Sequence, residues 1–345
     1  MPTNSTWSPV ATLAPLNRLV GCGGVVAYHA VTRVPFSPAM HVTVHAIAEQ
    51  LEFLVSEGYR IIPLRELIER RRTGRSVRRC VALTFDDAYR GVLELALPLL
   101  ERFAAPATVF VATAYAREGA RYWWDRLAWV MERAHPGLAA RLLDTGLDLP
   151  TASPDAVRAA LVASSAGRLT SAAESALAAL ERVVGVVPER SLSEPELREL
   201  ARADLIDFGC HTDSHPALPA LPSDEQRREI ACSYAWLAER LPRVRRFLAY
   251  PYGLYDGATV QAARDAGMEA AFSIEGRATG PRFDVYRCPR IGMAGVNSLR
   301  SLRLRLSWLL IPLVAWRNGG WHPRTAGGSR PVSMWAVRRR AAPAR

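Results

Sequence analysis

Three short segments carry residue types that can do hydrolytic chemistry together. The first, Leu83-Thr84-Phe85-Asp86-Asp87, ends an apolar run with two adjacent carboxylates. Side chains alternate along an extended chain, so the two acids point in different directions. One can hold a cation while the other faces a substrate; read alone, the pair is weak evidence, since most such pairs are turn or cap residues. The second, His211-Thr212-Asp213-Ser214-His215, uses two of the chain's seven histidines, four residues apart. If the backbone turns helically there, the imidazoles meet on one face, an ordinary spacing for a two-histidine metal site. Read alone, it is equally a solvated loop. The third, Tyr250-Pro251-Tyr252-Gly253, is a tight turn that can aim a backbone N–H outward at a developing oxyanion. Combined, the segments supply two His and one Asp for a cation, with a fourth position open. A spare carboxylate stands by to take a proton. That is equipment for metal-assisted hydrolysis of an amide or ester.

Such residues need a scaffold that brings distant segments to one place. Short apolar runs at 25–28, 61–64, 80–85, 107–111, 205–209, 247–250 and 270–274 read as strands. Helical patterns fall at 43–57, 65–72, 92–103 and 257–266. Two capping-box sequences open further helices, one at Ser193-Glu194-Pro195-Glu196 and one at Ser223-Asp224-Glu225-Gln226 that runs to about residue 241. Strand-then-helix alternation predicts a parallel sheet, and about seven parallel strands predict a closed or nearly closed (β/α) barrel spanning residues 24–295. The polar clusters lie at strand C-terminal ends, where such barrels carry function: His29, Asp86 and Asp87, His211, Tyr252. Residues 114–192 show helical patterns and no convincing strand, and eleven of residues 151–180 are Ala, which predicts a helical insertion. Trp123, Trp124 and Asp125 open it, either as a wall for sugar rings or as an apolar anchor. Residues 1–23 form a lead-in, 296–317 a basic apolar segment and 318–345 an Arg-rich tail expected to be mobile.

Composition removes several function classes. The chain has 345 residues, 49% apolar, with net charge +11. All 44 basic residues are Arg, so no lysine Schiff base or phosphate-loop lysine is available. Cys22, Cys80, Cys210, Cys232 and Cys288 are odd in number and lack CxxC spacing, against a disulfide framework and a thiolate zinc site. Ten Arg and no acidic residue lie in 300–345, and the rest is nearly balanced; this is not a nucleic-acid footprint. No basic region precedes the first apolar stretch, which Asn17 and Arg18 interrupt, so no signal peptide is expected and a cytoplasmic location is. No run of 18 apolar residues predicts a spanning helix. Residues 306–316, flanked by Arg303, Arg305 and Arg317, are either a buried element or an interfacial segment. In the second case 300–317 makes peripheral contact with anionic lipid at the inner membrane.

The motifs Thr84-Phe85-Asp86-Asp87, His211-Thr212-Asp213-Ser214-His215 and Tyr250-Pro251-Tyr252-Gly253 occur in the order seen in polysaccharide deacetylases with a NodB homology domain. The resemblance covers roughly residues 24–295. It implies a distorted (β/α) barrel and removal of acetyl from N-acetylated sugars, whether polymeric, free or lipid-linked. By that resemblance Asp86 is the general base, and Asp87, His211 and His215 bind one divalent ion, zinc before iron, cobalt or nickel. The backbone N–H of Tyr252 serves the oxyanion. The sequence departs from the family in two places. No late strand ends in a His that could act as acid. However, Val25-Val26-Ala27-Tyr28-His29-Ala30-Val31 looks like the permuted poly-N-acetylglucosamine deacetylase branch, where the acid-bearing strand comes first, and this makes His29 the candidate acid. The second departure is Ala249, which stands where many relatives have an Arg paired with the base; Arg290, in Cys288-Pro289-Arg290-Ile291, is the candidate replacement from a neighbouring strand. The family often works outside the cytoplasm, which leaves that location open. Two other functions fit the same scaffold. One is an amide hydrolase for cyclic amides or ureides, the other a non-catalytic glycan-binding or membrane-docking module, against which the intact Asp86, Asp87, His211 and His215 argue.

Overall fold

Strands such as Cys80–Phe85 and Ala107–Val111 are buried at every position, which only a sheet covered on both faces allows. A computed structural model of the chain describes residues 23–34, 40–134, 154–275, 284–295 and 299–306. Its strands are β1 (Gly24–Tyr28), β2 (Ala30–Thr32), β3 (His41–Thr43), β4 (Arg60–Ile61), β5 (Cys80–Phe85), β6 (Ala107–Val111), β7 (Ile206–Cys210), β8 (Val244–Ala249), β9 (Ala270–Ile274) and β10 (Cys288–Gly292). Strands β5 to β10 lie side by side in chain order, all parallel. β1 pairs with both β10 and β5 and closes the ring. The result is the expected seven-stranded (β/α) barrel. β4 adds to the start of β5, and β2 pairs with β3 apart from the barrel.

Side-chain alternation sorts the strands into two layers. Val26, Val81, Leu83, Phe85, Val109, Phe208, Leu248 and Ile291 belong to the larger apolar cluster with the helices. Val25, Ala82, Phe110, Phe247, Phe272 and Cys288 form a second cluster that fills the barrel. Phe110 fits because position 209 is Gly; a Cβ there would stand 2.6 Å from the Phe110 ring. Continued one step further up the strands, the inward-facing series brings His29, Thr84 and Asp86, His211 and Arg290 to the C-terminal mouth.

Several elements differ from the sequence reading, each for a local reason. The strand expected at 61–64 is cut to Arg60–Ile61. Pro63, with φ −54°, starts the helix Leu64–Arg72 directly after it. The helix expected at 92–103 opens as a π-turn, Val92–Ala96, before Leu97–Arg102. Pro98 lacks the N–H that would bond back to Glu94 in an α-helix. The box at Ser193 forms, with Glu196 accepting from the Ser193 N–H at 2.8 Å. The box at Ser223 does not form. Pro222 occupies the cap, and Gln226 donates instead to the Leu221 carbonyl at 2.9 Å. β10, absent from the apolar runs, is the neighbouring strand expected to carry Arg290; its Pro289 precedes the pairing with β1, which begins at Ile291.

The chain divides into two compact units, residues 1–122 with 187–320, and 123–186 with 321–345. The first holds the barrel. The described part of the second is helical, with Trp123–Arg133, Pro154–Ser165 and Ser171–Val184. Within it, Arg126 forks onto Glu181 at 3.0 and 2.8 Å, and Trp129 donates to the Gly185 carbonyl at 2.9 Å. No strand occurs among the described residues of 114–192. Among the described residues, no helix is long and apolar enough to cross a membrane. The segment 306–316 lies almost wholly outside them, as does the tail from 318.

Candidate active site

The mouth of the barrel is built around the end of β5. The Asp86 N–H still donates to the Tyr28 carbonyl of β1, at 2.9 Å, so Asp86 keeps the inward direction of its strand. Asp87 then turns left-handed (φ 67°), as does Ala88 (φ 48°). The reversal sends the second carboxylate toward β7. There Asp87 Oδ1 lies 3.5 Å from His211 Nε2 and 3.3 Å from His215 Nε2, and the two Nε2 atoms are 3.2 Å apart. All three residues are buried.

This triangle fits a bound cation. Donors about 2.1 Å from a tetrahedral zinc are separated by about 3.4 Å. His211 is set for ligation: its Nδ1 lies 2.8 Å from the Ala249 carbonyl, so Nδ1 carries the proton and Nε2 presents a lone pair. Burial lowers the pKa of both imidazoles below the ordinary value, His215 more strongly, and favours the neutral form that a metal needs.

The histidines do not meet through a helical turn, as their spacing suggested. Thr212 (φ 65°) and His215 (φ 58°) are both left-handed. The Thr212 hydroxyl accepts the His215 N–H at 3.1 Å, and the rings come to 4.6 Å between centroids. Left-handed backbone is disfavoured for such residues and persists only where the surroundings hold it. Glu229, on the helix Ser223–Arg240, does so here. Its carboxylate accepts from the N–H groups of Asp213 (3.0 Å) and Ser214 (2.8 Å) and from the Ser214 hydroxyl (2.6 Å). Asp213 itself turns aside to Thr113 and Arg117.

Asp86 has different partners. Arg290 from β10 donates to both of its oxygens, at 2.6 and 2.7 Å, and also to Thr84 Oγ1 and the Ser273 carbonyl, each at 3.2 Å. The guanidinium lies over the Phe110 ring, 5.3 Å from its centroid. Burial pushes the Asp86 carboxyl up, but Arg290, with help from His211 and His29, outweighs it and holds the group well below the usual carboxylate range. His29 Nε2 stands 3.8 Å from Asp86 Oδ2 and is 12% exposed, so it borders both the base and the opening.

Tyr252 lies in the turn after β8. That turn is closed by the Gly253 N–H on the Tyr250 carbonyl at 2.9 Å, which keeps the Tyr252 N–H out of the closing bond. Tyr252 is left-handed (φ 58°), and its ring meets His215 edge-on at 4.7 Å. Every candidate from the sequence is thus at one mouth: His29, Asp86, Asp87, His211, His215, Tyr252 and Arg290. Trp123 and Trp124 are each only 4% exposed and form no open sugar platform. Two residues around the site had not been singled out. Tyr122 was hidden beside the conspicuous tryptophans. Glu229 did leave a trace, since it falls with Gln226 and Ser233 on the buried face of an otherwise ordinary amphipathic helix.

The sequence model of the polysaccharide deacetylase family matches residues 73–271, more than half of the chain, and the chain belongs to that family. Two curated relatives are more particular. The chain is similar to the poly-beta-1,6-N-acetyl-D-glucosamine N-deacetylase of Staphylococcus epidermidis, 23% identical over 258 residues, covering 72% of this chain and 67% of that one. The Staphylococcus aureus enzyme of the same description is 22% identical over 250 residues, covering 70% and 64%. The chain therefore spans about two thirds of the length of these relatives. Among solved structures, the Streptococcus pyogenes deacetylase PplD in complex with acetate has a TM-score of 0.57 at 18% identity, covering 84% of this chain and 99% of that one. IcaB from Ammonifex degensii has a TM-score of 0.54 at 20% identity, covering 82% and 97%. These likenesses bear on the fold.

Proposed function

We propose that the chain is a metal-dependent N-deacetylase that hydrolyses the acetamide of N-acetylated amino sugars to free amine and acetate, with a poly-β-1,6-linked glycan as the leading substrate. The observation that carries this reading is one mouth with two kinds of carboxylate: Asp87 grouped with two neutral imidazoles, and Asp86 forked by Arg290 beside His29. The curated relatives support the choice of glycan.

Asp87, His211 and His215 hold one divalent ion, zinc in this reading, with iron, cobalt or nickel acceptable to the same donors. When bound, the ion acidifies water and polarises the acetyl carbonyl. Asp86, kept ionised by Arg290, takes the proton from the attacking water. The N–H of Tyr252 donates to the oxyanion that forms as the carbonyl carbon becomes tetrahedral. His29 gives a proton to the departing nitrogen. It borders Asp86, so a proton taken by one can be delivered by the other.

The test is acetate release from β-1,6-linked N-acetylglucosamine oligomers and lipid-linked amino sugars by zinc-loaded wild type and Asp86→Asn. Release by the wild type and its loss in the variant, with zinc retained, supports the reading. Failure of the wild type on every N-acetylated glycan overturns it. We also propose peripheral contact of residues 300–317 with anionic membrane at the inner leaflet, supported by four Arg and no acid in that segment, of which Arg303 pairs with Glu57 and Arg305 donates to the Gly292 carbonyl. Binding to phosphatidylglycerol vesicles that is unchanged on deleting 300–345 would remove that part.

A further inference from the structure

We propose that Tyr122 is a positioning residue for the metal centre, fixing Asp87 and His215 with one side chain; this rests on the Asp87–His211–His215 cluster being a metal site. Tyr122 is fully buried. Its hydroxyl donates to the backbone carbonyl of Asp87. Asp87 is the residue whose left-handed turn aims a carboxylate at the two imidazoles. The same carbonyl is approached by the Ser191 hydroxyl at 3.5 Å, and the Leu192 N–H donates to the next carbonyl, Ala88, at 2.8 Å. The segment 191–192 and Tyr122 therefore clamp a backbone conformation that L-residues disfavour.

The ring does a second job. It meets the His215 imidazole edge-to-face with 6.4 Å between centroids, its face stacks on Tyr115 at 4.3 Å, and Tyr89 packs against it at 5.1 Å. A ring wedged among three aromatic neighbours has little freedom to rotate, so the hydroxyl is held where the Asp87 carbonyl needs it. Asp87 comes from the end of β5 and His215 from the loop after β7. Tyr122 is one rigid side chain that touches both. Phe would keep the packing and lose the bond from the hydroxyl to the carbonyl of the residue that carries the metal-facing carboxylate.

Partners that orient ligands typically change metal affinity 10- to 100-fold when removed. The test uses the full-length protein, stripped of metal and titrated with Co²⁺ against a chromophoric chelator, with the visible ligand-field spectrum recorded. Tyr122→Phe is expected to bind Co²⁺ about 10-fold more weakly and to show an altered spectrum. Placing 3-fluorotyrosine at position 122 makes the phenol a stronger donor at nearly constant volume. It is expected to move affinity and spectrum the opposite way. A folded Tyr122→Phe protein with wild-type affinity and spectrum overturns the proposal. If that variant does not fold, the fluorotyrosine protein decides, and an unchanged spectrum overturns it. A wild type that binds no more Co²⁺ than His211→Ala overturns the metal-site reading itself. Equal tight binding by wild type and Tyr122→Phe overturns the Tyr122 role alone.

Discussion

Arg290→Met removes the fork on Asp86 while keeping a long unbranched side chain. Both partners are buried, Arg290 at 0% and Asp86 at 1% exposure, and both carboxylate oxygens are engaged. Removing one partner of a buried pair leaves an uncompensated charge and costs about 3–5 kcal/mol. The pH dependence adds a signature that a packing defect lacks. In the wild type the Asp86 carboxyl is depressed below its ordinary value, because Arg290 outweighs burial. A depressed carboxyl contributes stability that is complete above its unfolded value of about 3.9 and is lost as the pH falls from there through the folded value. In the variant the largest influence opposing burial is gone, and the carboxyl rises. The variant then recovers stability as acid protonates it. The gap between the two proteins is therefore widest at neutral pH and narrows on acidification. Urea denaturation of the metal-free proteins at pH 7 and pH 4 reads this directly. The acid limb of kcat/KM moves to higher pH in the same variant, because Asp86 must be ionised to take a proton. Arg290→Lys falls between, since an ammonium keeps the charge but not the fork. An Arg290→Met protein with a wild-type urea midpoint at pH 7 and an unmoved acid limb would refute the reasoning.

His29→Gln is expected to slow acetate release from an N-acetylated glycan by about 10²–10⁴-fold. Hydrolysis of an aryl acetate, whose leaving group needs no proton, should change little; equal losses on both substrates would take the acid role from His29. Stripping the wild type with a chelator lowers its melting temperature and abolishes activity, and one equivalent of zinc restores both. His211→Ala, assayed by elemental analysis, should retain almost no ion, and one ion per chain in that variant would contradict the ligand set. Glu229→Ala removes the carboxylate that accepts from the Ser214 N–H and hydroxyl, while the Asp213 N–H keeps the Glu229 backbone carbonyl at 3.1 Å. It should cost about 2–4 kcal/mol in urea denaturation and weaken zinc binding; a stable variant with normal zinc affinity would show that the loop holds itself.

The chemistry was legible because it depends on residue type and order. Asp86 with Asp87 is weak alone, as is His211 with His215, but together and in order with the turn at 250–253 they point at a metal and a base before any contact is known. The strands were legible where they are buried on both faces: 80–85, 107–111 and 270–274 were read with the bounds that the structure shows. Positions with proline were misjudged, since Pro63, Pro98 and Pro222 act through a missing N–H and a fixed φ that an apolar pattern does not register. The sequence left Trp123 and Trp124 open between sugar wall and apolar anchor, because exposure is a property of packing, and both are buried.

By itself the sequence determined which groups are available. It supplies no lysine and no CxxC pair, but two acids at a strand end, two histidines in a loop and an inward-facing period of two along each strand. Tertiary structure alone decided which of them meet. Arg290 reaches Asp86 across 204 positions of chain because β10 closes the ring beside β1, and β1 borders β5. The histidines converge through left-handed residues that Glu229 holds from another helix, and Asp87 is turned by a backbone conformation that Tyr122 and Leu192 pin. Such conformations are unfavourable locally and exist only because distant groups stabilise them, so no local pattern can announce them.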